Sequence, residues 1–534
     1  MRAARLLAIA TVAGAALLLA AAGSPRGIKE GGTFRVAACI TCISFIDPAF
    51  YAVTNESFVL DPACGTLMAY PDRPFPAGAR LAPSLAEADP VVSRDGRTYT
   101  FTVRKDARFS TGALVTAEAF KHALERILTP AMDTGDPSWL DIVGARKMLA
   151  GKATALDGAV ARGTTLILRL TKRVVDLPIR TAALCAVPPT LPADPEGAKA
   201  PLPSAAPYYV AEYVPNQRLV LERNRFYRGE RPHHVDRFVA DLAADRSEAF
   251  DQVASGTVET TIPGVIFDRG AELAQRYGVN RSQFFVVRGS GVRVFHLNMS
   301  RPLFRNNPKL RQAVNFAVDR KALAREVGYL AETPTDQYLF PGIPGYREER
   351  IYPLKGPNLL RARALAKGHT RGGKAVLYTL PFPIDVAQAQ ILQRNLEAIG
   401  LKVEVKQFVP RLLFEKLATP EEPFDIARVR YGLDLNPDPS FLNYLFDGRT
   451  IGVPGFFNYS YFNSPKYNRL LDHASQLPPG EERYRAYGEL DVQLSRDAAP
   501  AMPAAVINAF TFVSTGVGCI VSNPYLDLTA VCLK

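Results

Sequence analysis

Alternating apolar and polar residues predict several strands in the first half of the chain. The segment 31–40 (GGTFRVAACI) is apolar enough for a buried strand. The Asp95-Gly96 pair is a strong hairpin signal, and residues 98–103 after it alternate between threonine and apolar side chains. Residues 166–170 (LILRL) repeat that alternation with leucines. These segments are therefore predicted as strands, and the one after Asp95-Gly96 as a half-buried strand.

The clearest local unit lies between residues 374 and 406. Segment 375–380 has the pattern of a strand, 384–399 that of an amphipathic helix, and 401–405 that of a second strand after Gly400. A strand, a helix and another strand in this order form a βαβ unit, with parallel strands and a right-handed crossover. The sequence therefore predicts a mixed α/β protein with at least two lobes.

Length and composition support a large globular protein. The 534 residues correspond to three or four domain-sized units at about 150 residues each. Hydrophobic residues make up 47% of the chain and charged residues 22%, which excludes a fibrous or wholly disordered chain. Segments 150–165 and 189–206 are rich in Gly, Ala, Pro and Ser and are predicted as loops.

The first residues have the features of an export signal. Residues 1–22 carry Arg2 and Arg5, then an apolar stretch, then small residues that fit a cleavage site. An uncleaved membrane anchor is the alternative, because the stretch approaches the length of a membrane span. The next residues, Gly23-Ser24, lack a lipoprotein cysteine. We expect an exported protein, located in the periplasm, the cell envelope or the extracellular space.

The positive charge of the chain does not indicate a nucleic-acid partner. The net charge is +12, and removal of Arg2 and Arg5 leaves +10 (12 − 2). Basic residues are mixed with acidic ones, as in 481–491 (EERYRAYGELD). Most of the charge is therefore predicted to form a solvated surface, and a weak attraction to anionic envelope surfaces stays open.

Six cysteines in an exported chain indicate disulfide bridges, although fifteen connectivities are possible. Cys519 and Cys532 lie close together and predict a local bridge, and Cys64 and Cys185 are the other disulfide candidates. Cys39-x-x-Cys42 could instead be a redox motif or half of a zinc site, although zinc would need two further ligands.

Sequence motifs of catalysis are not found in the chain. It has no G-x-S-x-G, H-E-x-x-H or G-x-x-x-x-G-K-[ST] pattern. His233 and His234 lack further ligands at metal-binding spacing, and His296 is predicted as a core or cleft residue. We predict no catalytic residue, metal or cofactor; a Ser/His/Asp triad assembled from distant positions stays open.

One segment, 424–448, places charged residues among apolar and aromatic ones. A strand that ends in a Pro-rich turn would bring Arg428, Tyr431 and Asp434 to a lobe edge. There, Asp434 could bind a ligand ammonium and Arg428 a carboxylate, while Tyr431 gives an apolar wall with a polar tip. An ordinary ion pair beside a turn is the alternative.

Five ordered blocks of the chain resemble the family 5 extracellular solute-binding proteins of ABC transporters, of the oligopeptide- and dipeptide-binding type. The resemblance covers nearly all of the chain after residue 22. Its segments are GGTFRV with FIDPAF (31–50), the block 81–127 that begins with LAPSLAEADP, YYVAEYVPNQRLVLERNRFYRGERPHHVDRF (208–238), FHLNMSRPLFRNNPKLRQAVNFAVDRKAL (295–323) and FNYSYFNSPKYNRLLDHA (457–474).

The resemblance implies a two-lobed fold of the periplasmic-binding-protein type, with mixed sheets and a ligand cleft between the lobes. Two strands would cross between the lobes near residues 290 and 500. Lobe I would comprise 23–290 and 500–534, with an extra domain inserted at about 66–190. Lobe II would comprise 291–499.

The resemblance also implies roles for the three site residues. Arg428, Tyr431 and Asp434 match an Arg-x-x-aromatic-x-x-Asp pattern found in the cleft of some peptide binders. By this likeness Asp434 holds the ligand's amino group, Tyr431 is a cleft wall where Trp is frequent, and Arg428 is a helper or a carboxylate partner.

We therefore expect a monomeric, non-catalytic binding protein of an ABC import system. It would capture a peptide or a related small solute and deliver it to a membrane permease. Two alternatives stay open, namely an envelope chaperone or sensor that uses the same cleft, and a secreted hydrolase.

Overall fold

The computed structural model describes residues 28–38, 43, 45–51, 60–75, 77–134, 136–242, 246–262, 269–432, 438–453, 456–522 and 526–534. These residues form a two-lobed α/β protein with mixed sheets, as the sequence predicts. The signal peptide predicted at 1–22, together with Cys39, Cys42 and Asp434, lies outside the described residues. Within the described ranges, no helix is both long enough and apolar enough to cross a bilayer.

The strands, in chain order, are β1 Thr33–Ala38, β2 Met68–Ala69, β3 Ala82–Pro83, β4 Val91–Val92, β5 Thr98–Thr102, β6 Ala159–Arg162, β7 Thr165–Arg169, β8 Tyr208–Val214, β9 Arg218–Arg223, β10 Arg237–Asp241, β11 Thr260–Ile262, β12 Phe284–Leu297, β13 Glu332–Pro334, β14 Lys374–Thr379, β15 Lys402–Gln407, β16 Ile426–Gly432, β17 Ala501–Phe512, β18 Val517–Gly518 and β19 Cys532–Leu533.

The α-helices are Ala117–Ile127, Ala145–Leu149, Leu177–Arg180, Arg246–Ser255, Gly270–Tyr277, Pro308–Ala317, Arg320–Val327, Leu359–Ala366, Pro383–Glu397, Pro410–Ala418, Phe441–Phe446, Pro465–Gln476 and Glu481–Gln493.

The first lobe is built on a five-stranded sheet with the order β11-β1-β10-β9-β8. β1 runs parallel to β10 and β11, whereas β9 is antiparallel to both of its neighbours. Phe34 and Val36 of β1 share one apolar core with Val513, Val517 and Leu528 from the end of the chain. The C-terminal stretch therefore completes the core of the first lobe.

A separate four-stranded antiparallel sheet, β4-β5-β7-β6, lies within residues 91–169. The hairpin predicted at Asp95-Gly96 joins β4 to β5, and Tyr99 and Phe101 are buried as the alternation predicts. The helix Ala117–Ile127 covers this sheet and contributes to the same core. This core is distinct from that of the five-stranded sheet.

The prediction of a loop at 150–165 is wrong in part, because the strand β6 lies within this segment. Ala159–Arg162 has only weak strand propensity by itself, since two of its residues are alanines. It forms a strand because it pairs along its length with β7, from Ala159 opposite Leu168 to Arg162 opposite Thr165. Long-range pairing, rather than local composition, determines the structure of this segment.

The second lobe is built on a six-stranded sheet with the order β13-β17-β12-β16-β14-β15. The βαβ unit predicted from the sequence is present, since β14 and β15 are parallel and the helix Pro383–Glu397 connects them. Apolar cores lie on both faces of this sheet. Polar groups of the ligand site must therefore come from the edges of the sheet and not from an open face.

Two long strands connect the lobes. β12 and β17 pair over most of their length, and Phe284, Phe510 and Phe512 share a core with Leu273 of the first lobe and Ala331 of the second. This apolar core packs around the crossing strands where they pass between the lobes.

Among the described residues, two disulfide bridges lie in the first lobe and its C-terminal stretch. Cys64 is bonded to Cys185 across 121 residues of sequence, and Cys519 to Cys532 across 13. The four cysteines are those that the sequence offered as candidates, and the second bridge is the local one favoured by spacing. Cys519 and Cys532 join the short β18-β19 hairpin.

Candidate functional site

The edge of the six-stranded sheet that faces the first lobe can be identified from strand directions. β14, β15 and β16 are parallel, so their carboxyl ends lie at one edge, which we call the carboxyl edge. β12 is antiparallel to β16, with Gly291 opposite Gly432, and β17 is antiparallel to β12, with Ile507 opposite Gly291. Both crossing strands therefore leave the second lobe at the carboxyl edge, which borders the cleft between the lobes.

Arg428 and Tyr431, both predicted as site residues, lie on β16 but on opposite faces of the sheet. They are three positions apart, and side chains alternate along a strand. Arg428 is buried, and its guanidinium donates to the carboxylate of Asp385 and, from Nε, to Oε1 of Gln388 at 2.8 Å. Its Nη2 is buried without a hydrogen-bond partner among the described residues.

Burial, together with the positive charge of Arg293, lowers the pKa of Arg428 well below its ordinary value. Arg293 itself forms a buried ion pair with Glu332. The second carboxylate oxygen of Glu332, Oε2, also lacks a hydrogen-bond partner in the described part of the chain. Two buried ion pairs therefore lie on the same face of the sheet. The Arg428–Asp385 pair has a donor, Nη2, without a partner among the described residues, and the Arg293–Glu332 pair has an acceptor, Oε2, without one.

The hydroxyl of Tyr431 is held by a hydrogen bond with His296. The phenol oxygen lies 2.7 Å from Nε2 of His296 on the neighbouring strand β12, and the other ring nitrogen, Nδ1, lies 2.7 Å from Oγ of Ser460. Burial lowers the pKa of His296 to about 3, so the imidazole is neutral. Both partners are hydroxyls, which can donate or accept, so either tautomer satisfies both contacts.

An aromatic wall, defined as Tyr431, Phe457 and Tyr459, extends from this contact. The ring centroids of Tyr431 and Phe457 are 5.9 Å apart, and those of Phe457 and Tyr459 are 6.1 Å apart. The Tyr431 hydroxyl also lies 3.4 Å from the carbonyl oxygen of Phe457. Burial raises the pKa of Tyr431 well above its ordinary value, so the wall presents uncharged aromatic surface.

Asp434, the predicted ammonium partner, lies outside the described residues, so its role stays a prediction. The described chain stops at Gly432, beside the aromatic wall, and resumes at Asp438. Asp438 is buried and paired with Arg483, with 3.3 Å between Oδ1 and Nη2. Burial and the charge of Asp438 raise the pKa of Tyr70, which belongs to the first lobe. The described residues that flank Asp434 in the chain are thus Gly432, beside the aromatic wall, and Asp438, close to Tyr70 of the first lobe.

The lobes touch at further points on the same side. A Cβ added to Gly342, which follows β13, would lie 2.6 Å from Cδ2 of Phe75, which follows β2. Arg173 donates to the carbonyl oxygen of Gln476 at 3.3 Å. An exposed ion pair connects Arg80 with Glu481. Besides the crossing strands, the two lobes are therefore in contact at these three places.

One acidic group was not anticipated from the sequence. Asp61, Asp72 and Asp527 each offer an oxygen within 4.8 Å of the others. Arg231 donates to Asp61 and Asp72, and burial with the charge of Asp72 raises the pKa of Asp527. A guanidinium supplies positive charge here, so these residues form an ion network with Arg231 in the first lobe.

The sequence singled out Arg428 and Tyr431 but not their partners. Asp385 is 43 residues from Arg428, and His296 is 135 residues from Tyr431. A signal for His296 did exist, since it stands between Phe295 and Leu297 in an apolar strand, where an unpaired imidazole would be unfavourable. That signal indicates a bonded histidine but does not identify its partner.

A two-lobed fold, two crossing strands and a cleft edge lined by aromatic and charged side chains define a binding protein. The family model described as bacterial extracellular solute-binding proteins, family 5 Middle, matches residues 80–452. The chain belongs to this family of solute-binding proteins of ABC transporters, and the resemblance seen in the sequence is confirmed.

Relatives cover most of the chain at low identity. The fold is similar to that of clavulanic acid biosynthesis oligopeptide binding protein 2, with a TM-score of 0.83, 25% identity, and coverage of 95% of this chain and 96% of that one. Heme-binding protein A of Haemophilus influenzae is 23% identical over 83% of this chain and 82% of its own length. Periplasmic oligopeptide-binding protein OppA of Escherichia coli is 21% identical over 84% and 83%. These names differ in ligand, so family membership alone does not identify the solute.

Proposed function

We propose that this protein captures a peptide, or a related small solute with a free amino group, in the cleft between its lobes. It then presents the solute to the membrane permease of its ABC importer. It acts as an exported monomer in the periplasm or cell envelope, without catalysis.

The observation that carries this proposal is the fixed position of Tyr431. Its backbone lies at the carboxyl edge, just before the segment that contains Asp434, and a buried neutral imidazole holds its phenol oxygen. An uncharged aromatic wall gives a peptide backbone an apolar surface to pack on. A carboxylate beside such a wall, in a cleft that excludes water, would bind an ammonium strongly. Relatives with peptide-binding names support the same ligand class.

The first experiment is to purify the full mature chain and identify co-purified solutes by native mass spectrometry. Short peptides of mixed sequence would support the proposal. A single solute without an amino group would contradict it and leave the family unchanged. Weak binding of unrelated unfolded segments would instead favour an envelope chaperone or sensor.

The amino-group requirement is tested by calorimetry with Ala-Ala-Ala and its N-acetylated form. We expect acetylation, or Asp434→Asn, to weaken binding about 10–100-fold, which corresponds to a charge-assisted hydrogen bond of about 1.5–3 kcal/mol. Asp251→Asn, an exposed helix position, is the matched control and should bind like the wild type. Equal affinity for both peptides would contradict the ammonium role.

A further inference from the structure

Five large apolar side chains stay exposed in the loops and first helical turns that follow β14 and β15. We call them the apolar rim: Phe382, Ile384, Val409, Leu412 and Phe414, each between 39% and 58% exposed. β14 and β15 are neighbouring parallel strands, with Thr379 opposite Gln407 at their carboxyl ends. The two loops therefore begin side by side at the carboxyl edge, and the helices that follow them pack on opposite faces of the sheet. Single exposed apolar residues are ordinary, whereas a contiguous group indicates a binding surface.

Both helices that follow these loops have an apolar residue at the N-cap, which leaves the first backbone amides without a side-chain acceptor. Phe382 is the N-cap of the helix Pro383–Glu397, and Val409 is the N-cap of Pro410–Ala418; neither side chain caps its helix. Ser, Thr, Asp and Asn are the usual N-caps because their side chains accept from the free backbone amides. Two helices that begin at the carboxyl edge thus carry an apolar residue where a polar one would stabilise the fold, which is typical of functional positions.

The apolar rim continues the aromatic wall along the carboxyl edge. The ring centroids of Phe414 and Tyr459 are 6.3 Å apart, and Tyr459 belongs to the wall. On the other face, Asp385 follows Ile384 directly and binds Arg428 on β16. The strand order is β12-β16-β14-β15, with Tyr431 on β16 and the rim after β14 and β15. The rim and the crossing strand β12 therefore lie on opposite sides of Tyr431. It therefore lies at the outer end of the same edge that contains the candidate site.

We propose that the apolar rim is a second subsite, which binds bulky apolar side chains of an elongated peptide whose amino end lies beside Tyr431. This inference rests on the proposed function. β15 is two strands from β16, or about 10 Å at about 4.8 Å per strand. An extended peptide covers that distance in about three residues, at about 3.3 Å each. The side chains that reach the rim are therefore those of the fourth and fifth residues.

The test compares three peptide probes by calorimetry on the full mature chain: Ala-Ala-Ala, Ala-Ala-Ala-Ala-Ala and Ala-Ala-Ala-Phe-Phe. The rim variant is Phe382→Ser with Val409→Ser. Because serine is a better N-cap than either residue, its Tm should be equal to or above that of the wild type. The matched control is Val91→Ser with Val92→Ser, a pair of exposed apolar residues on β4, far along the chain from the rim.

We expect the wild type to bind the Phe-containing peptide at least tenfold more tightly than penta-alanine. In the rim variant this preference should fall to about threefold or less, with unchanged affinity for tri-alanine; the control pair should keep the full preference. A rim variant that keeps the full preference would overturn the second subsite and leave the proposed function standing. A wild type that binds none of the three peptides would overturn both.

Two other occupants of the apolar rim predict different results. If a second copy of the chain covers it, the wild type is a dimer, the rim variant a monomer, and the peptide preference is the same in both. If the permease covers it, the rim variant keeps its peptide preference but loses uptake in cells. Either result would overturn the subsite proposal.

Discussion

The phenol oxygen of Tyr431 lies 2.7 Å from Nε2 of His296, and the two residues stand on the adjacent strands β16 and β12. β12 is one of the two strands that cross between the lobes. The aromatic surface of the cleft is therefore attached to the strand at which the lobes are connected. Tyr431 is thus joined to β12 twice, by strand pairing with Val292 near the cleft end and by the phenol contact to His296 deeper in the second lobe.

Tyr431→Phe should separate the hydrogen bond from the aromatic surface. The variant keeps the ring but leaves one nitrogen of His296 unpaired, so the free energy of unfolding should fall by about 1–3 kcal/mol. Affinity for Ala-Ala-Ala should fall modestly, by about three- to tenfold. Tyr431→Ala, which also removes the wall, should lose clearly more affinity. Urea unfolding and calorimetry measure the two quantities, and equal affinities for the two variants would show that the ring is not part of the ligand surface.

His296 should make the fold sensitive to acid. Its native pKa is about 3, whereas in the unfolded chain it is about 6.5. Between these values the unfolded chain binds a proton that the native protein does not. The free energy of unfolding is therefore unaffected by protonation of His296 above about pH 6.5. Between about pH 6.5 and pH 3 it decreases by about 1.4 kcal/mol for each pH unit that the pH falls.

The measurement for His296 is urea unfolding at pH 7.5 and pH 5.0. His296→Gln has no titrating group at this position, so the wild type should lose about 2 kcal/mol more than the variant between the two pH values. His473→Gln, at an exposed position on the helix Pro465–Gln476, is the control and should behave like the wild type. A wild type and a His296 variant with the same pH dependence would refute the burial of a neutral imidazole.

Phe75 and Gly342 should control closure of the cleft. Gly342 has a φ of +106°, and a Cβ there would lie 2.6 Å from the Phe75 ring. Gly342→Ala should therefore hold the lobes apart and weaken binding of Ala-Ala-Ala. Gly256→Ala is the matched control, since Gly256 also has a positive φ but has nothing within 4 Å of its added Cβ.

The double variant distinguishes a clash between lobes from local strain. Phe75→Ala removes the ring that the new methyl group would meet, so adding it to Gly342→Ala should restore most of the lost affinity. Small-angle scattering with saturating ligand should show a larger radius of gyration for Gly342→Ala alone. If the two substitutions instead weaken binding additively, the residues do not interact across the cleft.

The two disulfide bridges should differ in their contribution to stability. Closing a loop of 121 residues removes more entropy from the unfolded chain than closing one of 13. In the chain-entropy model the contributions are about 5 and about 3 kcal/mol. Replacing Cys64 and Cys185 by Ala should therefore lower the urea midpoint more than replacing Cys519 and Cys532. The reverse order would indicate that the C-terminal bridge restrains more than its own hairpin.

The parts of the fold that depend on neighbouring residues could be predicted from the sequence. The βαβ unit at 374–406 is encoded within 33 residues, and the hairpin at Asp95-Gly96 within a dozen, so local patterns were sufficient. β6 was missed because its strand character comes from pairing with β7 and not from its own composition. Local patterns predicted at least two lobes, and the family resemblance supplied the strands that cross between them and the cleft.

The candidate site was predicted less completely. Arg428 and Tyr431 were identified as unusual residues in an apolar segment, and strand alternation alone implies that they face opposite ways. The sequence could not show that Asp385 and Gln388 accept hydrogen bonds from two of the three nitrogens of the Arg428 guanidinium. That partner set depends on how a helix packs over a sheet, which is a property of the tertiary structure.

The position of β17 determines the order in which the protein can fold during synthesis. It lies between β13 and β12 in the sheet of the second lobe, and the residues after it fill the core of the first lobe. A chain that has been made only as far as residue 500 lacks an internal strand in one lobe and apolar core residues in the other. Neither lobe can therefore complete its native packing until β17 and the residues that follow it have been made.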